Sequence, residues 1–92
     1  MQFTWDEAKR LENLRKHGLD FADAERVFAG EVFRREDVRY AYDEQRMIAI
    51  GLLDVVTVLL VHVEDEKTIR IISMRRADKH ETKIYFDYIT SV

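Results

Sequence analysis

The chain contains no cysteine. Disulfide staples, thiolate metal sites and cysteine nucleophiles are thereby excluded, and nothing points to an oxidising compartment. Proline is absent and glycine occurs only three times, so abrupt chain breaks are few. The longest nearly uncharged stretch, Met47 to Val63, is interrupted by Asp54 and rich in β-branched residues. It is too short and too broken for a membrane helix. The sequence opens Met-Gln-Phe-Thr-Trp-Asp-Glu, without a basic leader or apolar signal core, which leads us to expect a cytoplasmic protein. There is no glycine-rich phosphate loop and no Gly-x-Ser-x-Gly elbow. His17, His62 and His80 are scattered without metal-ligand spacing, so neither a metal nor another cofactor is expected. What is present, 47% hydrophobic and 36% charged residues in 92, suits one folded domain spanning residues 1–92.

The net charge is −3, but it is unevenly spread. Residues 18–66 hold 5 Lys/Arg against 12 Asp/Glu, whereas residues 67–83 hold 6 against 2. Lys9, Arg10, Arg15 and Lys16 cluster near the N-terminus. Only charges within roughly 8–10 Å act strongly on a bound ion, so a local basic patch can hold phosphate despite an acidic total.

The pattern predicts a first helix in which Thr4-x-x-Glu7 forms a capping box. Ala8, Leu11 and Leu14 or Arg15 mark its periodicity, and Lys16-His17-Gly18 supplies a cationic last turn and a terminating glycine. A second helix begins at Asp20, shows Phe21, Ala24, Val27 and Phe28 on one side, and ends at Gly30. The period then changes. Val32-Phe33 is a short apolar pair, and Tyr40-Ala41-Tyr42 reads as an irregular edge strand. Residues 46–52, 55–63 and 68–74 read as an antiparallel meander, with Glu64-Asp65-Glu66-Lys67 as a charged turn. Asp78-x-x-Glu81 caps a last helix that carries Ile84, Tyr85 and Tyr88. The expected class is α+β: two N-terminal helices, an antiparallel sheet of three to four strands, and a C-terminal helix.

Three strings stand together in this order: Phe3-x-Trp5-Asp6-x-x-Lys9; Asn13-Leu14-Arg15-Lys16-His17-Gly18-Leu19-x-Phe21-x-x-Ala24; and Ile69-Arg70-Ile71-Ile72-Ser73-x-Arg75-x-Ala77-x-x-x-Glu81-x-x-x-Tyr85. Over essentially its whole length the chain resembles the BrnT family of toxins from bacterial type II toxin–antitoxin pairs. The resemblance implies a RelE-like fold and a metal-independent endoribonuclease that inhibits translation. It also implies neutralisation by a cognate BrnA-type antitoxin, with operator DNA bound only through that antitoxin. Two departures stand out: Met74, where relatives usually carry a small residue, and an apolar C-terminal tail over residues 85–92.

Metal-free RNA cleavage needs a base for the 2′-hydroxyl, cations for the phosphate and an acid for the leaving 5′-oxygen. Arginine suits the second task because its fork donates two hydrogen bonds and stays charged. Arg70, inside an apolar strand, is either a phosphate ligand or one half of an ion pair with Glu81 or Glu64. Arg75 and Arg76 fall between strand and helix as phosphate contacts or solvated cations, with Arg75 matching the family string. Lys79 and Lys83 either extend an RNA track or form a solvated helix face. His17 is a proton-transfer candidate, since its ordinary pKa of about 6.5 suits work near neutrality, or else a partner of the helix dipole. Lys9, Asn13 and Lys16 or His17 share one helical stripe, which makes Lys9 and Lys16 RNA-binding candidates. Tyr85 offers a hydroxyl or a stacking ring, or packs on the sheet. Glu81 reads as a helix cap, Ser73 as an ordinary strand serine and His62 as a satisfied core histidine. The alternative to an enzyme is a non-catalytic binding module, or an inactivated relative, acting only within an antitoxin complex. A domain that binds DNA alone is disfavoured, since no recognition helix is apparent.

Overall fold

The chain's architecture, a computed structural model, is described for residues 1–39, 41 and 43–91. Its elements are β1 (Gln2–Trp5), α1 (Glu7–His17), a 3-10 turn (Phe21–Asp23), α2 (Ala24–Phe28), β2 (Phe33–Glu36), β3 (Met47–Leu53), β4 (Val56–Glu64), β5 (Thr68–Arg76) and α3 (Lys79–Thr90). The five strands form one sheet in the order β1-β5-β4-β3-β2. β1 lies parallel to β5, and the other neighbours are antiparallel.

The α+β class is as expected, while the strand count and the start of the chain are corrected. Thr4 does not cap a helix; it lies in β1, paired with Arg70. Phe3 and Trp5 alternate inward onto the core, which fixes residues 2–5 as a strand. The cap of α1 is instead Asp6, whose carboxylate accepts the Lys9 N–H at 3.1 Å. Gly18 ends α1 as anticipated, at φ 70° with its N–H on the Leu14 carbonyl. Leu11 and Leu14 are exposed, not core residues, and the buried residue of α1 is Asn13. Asp20 caps the 3-10 turn by accepting the Ala22 N–H, and the helix after it is only the short α2. The additional strand is Phe33–Glu36. The expected edge strand at Tyr40-Ala41-Tyr42 involves Tyr40 and Tyr42, which lie outside the described residues.

Strand alternation divides the sheet into two apolar faces. Val58 and Leu60 of β4, with Ile69, Ile71 and Met74 of β5, pack under Phe21, Ala24 and Val27. Met74 is fully buried there. α2 approaches β3 closely, because a Cβ at Gly51 would come within 2.8 Å of Val27 Cγ1. Leu59 and Val61, with Ile48 and Ile50, form the opposite face under Tyr85 and Ile84 of α3. The β3–β4 turn places Asp54 at φ 55°, a conformation that aspartate tolerates better than most residues, and Arg26 pairs with its carboxylate.

One register change matters for the site. Val61 pairs with Ser73 but His62 pairs with Ile71, so Ile72 is an extra residue bulged out of β5.

His62 is buried beneath Phe28, ring centroids 5.0 Å apart in an edge-on arrangement. Its Nε2 shares a 2.7 Å hydrogen bond with Glu64, which also accepts from Arg34 at 3.0 Å. Nδ1 is buried without a hydrogen-bond partner among the described residues. Burial outweighs the Glu64 carboxylate and lowers the imidazole pKa. The unfolded chain therefore protonates His62 near its ordinary pKa of about 6.5, and the folded chain only at lower pH. Stability should fall as pH drops below about 6.5 and level off once the folded imidazole also protonates. Urea denaturation from pH 7.5 to pH 5 should show that loss, and His62→Gln should flatten it. An unaltered slope in the variant would assign the loss to other groups.

Candidate functional site

Among the described residues the C-terminal half of β5 has no strand neighbour on its β1 side, because β1 pairs only as far as Ile71. α1 takes that place. The Asn13 carboxamide donates to the Met74 carbonyl at 2.8 Å and accepts the Met74 N–H at 3.1 Å, as a neighbouring strand would. It also donates to the Leu19 carbonyl at 3.1 Å. Between α1 and the bulge lies an open groove of about 370 Å³. Ala8, Lys9, Glu12, Asn13, Lys16 and His17 line one wall, and Ile72 and Ser73 the other.

Lys9, Lys16 and His17 thus meet in one place, as the helical stripe predicted. Their side chains make no hydrogen bond or ion pair among the described residues. Glu12 is turned to Arg15, which holds it in an ion pair and keeps its carboxyl below the usual range. Ser73 gains a place in the wall that its sequence context did not suggest.

Arg70 lies on β5 just before the bulge. Its Nη2 donates to both oxygens of Glu44, at 2.6 and 2.7 Å. The expected partners, Glu81 or Glu64, are corrected: Glu44 reaches it from the β2–β3 connection. That carboxyl is held below its ordinary pKa, first by the Arg70 hydrogen bond, with further help from the charges of Arg46 and Lys9. Lys9 consequently feels the same acid as Arg70, which connects the groove to the strand cation.

Arg75 and Arg76 end β5 instead of occupying the connection. Arg75 grips Glu81 with two parallel bonds, Nη1 to Oε1 at 2.8 Å and Nη2 to Oε2 at 2.9 Å. Glu81 also completes the expected capping box of α3: its Oε1 accepts the Asp78 N–H while Asp78 accepts the Glu81 N–H. Arg76 is exposed, its register partner being Val58. Lys79 and Lys83 are exposed on α3, where Lys83 pairs with Asp87 at 2.6 Å.

Tyr85 does not line the groove. It is buried in the α3 cluster, and its hydroxyl donates to the Glu31 carbonyl at 3.0 Å. Burial raises its phenol pKa further. Of its two sequence readings the geometry favours packing. Glu44 went unremarked in the sequence, since no local pattern ties an acid in a long connection to a strand 26 residues away. Among the described residues no three His, Asp or Glu side chains gather as metal ligands, and no helix is long and apolar enough to cross a membrane.

No curated protein matches this sequence. A family model described as the ribonuclease toxin BrnT of type II toxin–antitoxin systems matches residues 5–81. That span contains α1, strands β2 to β5 with only the last residue of β1, and the start of α3, so it holds every wall of the groove. The crystal structure of the Brucella abortus ribonuclease toxin BrnT is similar at 32% identity and a TM-score of 0.64, covering 86% of this chain and 99% of that one. A match over this much of the sequence, with the fold agreeing, shows that the chain belongs to the BrnT family of ribonuclease toxins of type II toxin–antitoxin systems.

Proposed function

We propose that this chain is itself an endoribonuclease that cuts RNA without a metal ion, inhibits translation in the cytoplasm, and is neutralised by a BrnA-type antitoxin through which alone it meets operator DNA. The observation that carries the proposal is the groove, where Lys9 and Lys16, without an ion pair among the described residues, flank His17 beside the bulge of β5. Its position between an α1 stripe and a strand bearing Arg70 and Arg75 suits a bent phosphodiester. Arg70 and Arg75 hold the non-bridging oxygens in planar, charge-assisted bonds. Lys9 and Lys16 neutralise neighbouring phosphates, and Arg76, Lys79 and Lys83 continue the track along the start of α3.

His17 takes the 2′-hydroxyl proton. The 2′-oxygen then bonds to phosphorus, the bond to the 5′-oxygen breaks, and that oxygen takes a proton from water. The products are a 2′,3′-cyclic phosphate and a 5′-hydroxyl. Tyr85 is given no part in proton transfer, because its hydroxyl is bound to the Glu31 carbonyl.

A second reading, a binding module without catalysis, is favoured by one fact. Both candidate phosphate arginines already hold carboxylates, Glu44 and Glu81. Incubating the purified chain with a single-stranded RNA oligonucleotide in excess EDTA separates the two. Fragments ending in 2′,3′-cyclic phosphate are expected. RNA left intact both in EDTA and with added magnesium would support the binding module. Cleavage with magnesium alone would overturn the metal-free mechanism while keeping the nuclease.

A further inference from the structure

The way Arg75 is held leaves part of it unused. A guanidinium presents five N–H donors in a fixed plane. The end-on pair, one hydrogen each from Nη1 and Nη2, is occupied by the two Glu81 oxygens. The outer Nη1 hydrogen is taken by the Arg76 carbonyl at 3.1 Å. What remains is the side-on edge, Nε–H with the outer Nη2 hydrogen, which has no partner among the described residues. Those two parallel donors match the spacing of two phosphate oxygens. Three bonds fix the plane of the guanidinium, and with it the direction of that edge.

Glu81 is only 15% exposed and Arg75 36% exposed, so the pair is half withdrawn from water. Glu81 is itself anchored, since its Oε1 also accepts the Asp78 N–H at the head of α3. The helix start, the acid and the arginine form one rigid chain of contacts. Arg75 alone would sample many rotamers, and ordering it at the moment of reaction would cost entropy.

We infer that Glu81, beyond capping α3, is a positioning residue that aims the side-on edge of Arg75 at the RNA phosphate undergoing cleavage. This rests on the phosphate role of Arg75 proposed above. Glu81 touches no substrate in this scheme and acts wholly through Arg75.

A double-mutant cycle in kcat tests it. Glu81→Gln is a suitable probe because glutamine also serves in a capping box, its amide oxygen accepting the Asp78 N–H. It replaces one of the two oxygens facing Arg75 with an amide NH2, a donor, which breaks the parallel pair. With an RNA oligonucleotide as substrate, kcat should fall about tenfold in Glu81→Gln with KM little changed. In an Arg75→Ala background the same substitution should then do nothing more. As a control on helix capping, Asp78→Ala removes the cap acceptor but leaves Glu81 on Arg75, so its kcat should stay near wild type. Glu81→Gln lowering kcat by the same factor with and without Arg75, or Asp78→Ala lowering it equally, would overturn the inference and leave Glu81 a cap. Arg75→Ala cleaving as fast as wild type would instead remove the phosphate role of Arg75, and with it the inference. A wild-type chain that cuts no RNA would remove the nuclease reading itself.

Discussion

Replacing Asn13 with Ala should destabilise the fold by about 3 kcal/mol, with two main-chain groups of Met74 and one of Leu19 losing their partner. Asn13 is 7% exposed, so water does not freely replace its side chain. A buried donor or acceptor left unpaired costs about 1–3 kcal/mol, and partial water entry into the adjoining groove offsets some of the three. In a domain of this size 1 kcal/mol moves the melting temperature by roughly 4–8 °C, so a fall of about 12 °C or more is expected. Asn13→Asp should be no better despite its matching shape. An ionised carboxylate cannot donate, and it would face the carbonyls of Met74 and Leu19. Thermal denaturation of both variants checks this, and a melting temperature within 3 °C of wild type would show that the carboxamide does not close the β5 edge.

Asn13 also shows what could be read in the sequence. Its place on a stripe with Lys9, Lys16 and His17 followed from helical spacing, and the groove contains all four. The opposite wall did not follow, because Ile72 and Ser73 reach it through a bulge that no alternation pattern announces. At the N-terminus two local signals overlapped. Thr4-x-x-Glu7 has the form of a capping box, while Phe3 and Trp5 have the spacing of a strand; long-range pairing with β5 decided for the strand, and Asp6 became the cap. The same box at Asp78-x-x-Glu81 met no rival and formed as read. Leu11 and Leu14 misled because α1 meets β5 through a polar residue, so its apolar periodicity was no guide to the buried side. The ion pairs were beyond local reading altogether. Strand alternation says which way Arg70 points, but whether its acid comes from a turn, a helix or the β2–β3 connection is settled only by the fold.

Arg70→Ala and Arg75→Ala should each lower RNA cleavage by about 100-fold, and the double variant should not arrest growth when expressed. Each removes a charged donor aimed at the phosphate, where charge builds in the transition state, and such donors are typically worth about 10²–10³ in rate. The loss should not trace to unfolding. The Arg70–Glu44 pair is open to water, while the Arg75–Glu81 pair is half withdrawn from it. An exposed pair contributes about 0–1 kcal/mol, so Arg70→Ala should melt within several degrees of wild type. Arg75→Ala leaves a half-buried Glu81 without its partner and should lose somewhat more while remaining folded at the assay temperature. Alanine at residue 70 also releases Glu44, whose charge then remains near Lys9 and Arg46 and further disfavours a phosphate. Arg70→Lys keeps a charge but not the planar fork, so it should recover little of the rate. Oligonucleotide cleavage and growth on induction, measured beside melting curves, check all of this. Undiminished cleavage by the double variant would reduce both arginines to structural ion pairs and leave the phosphate to Lys9 and Lys16 in the groove.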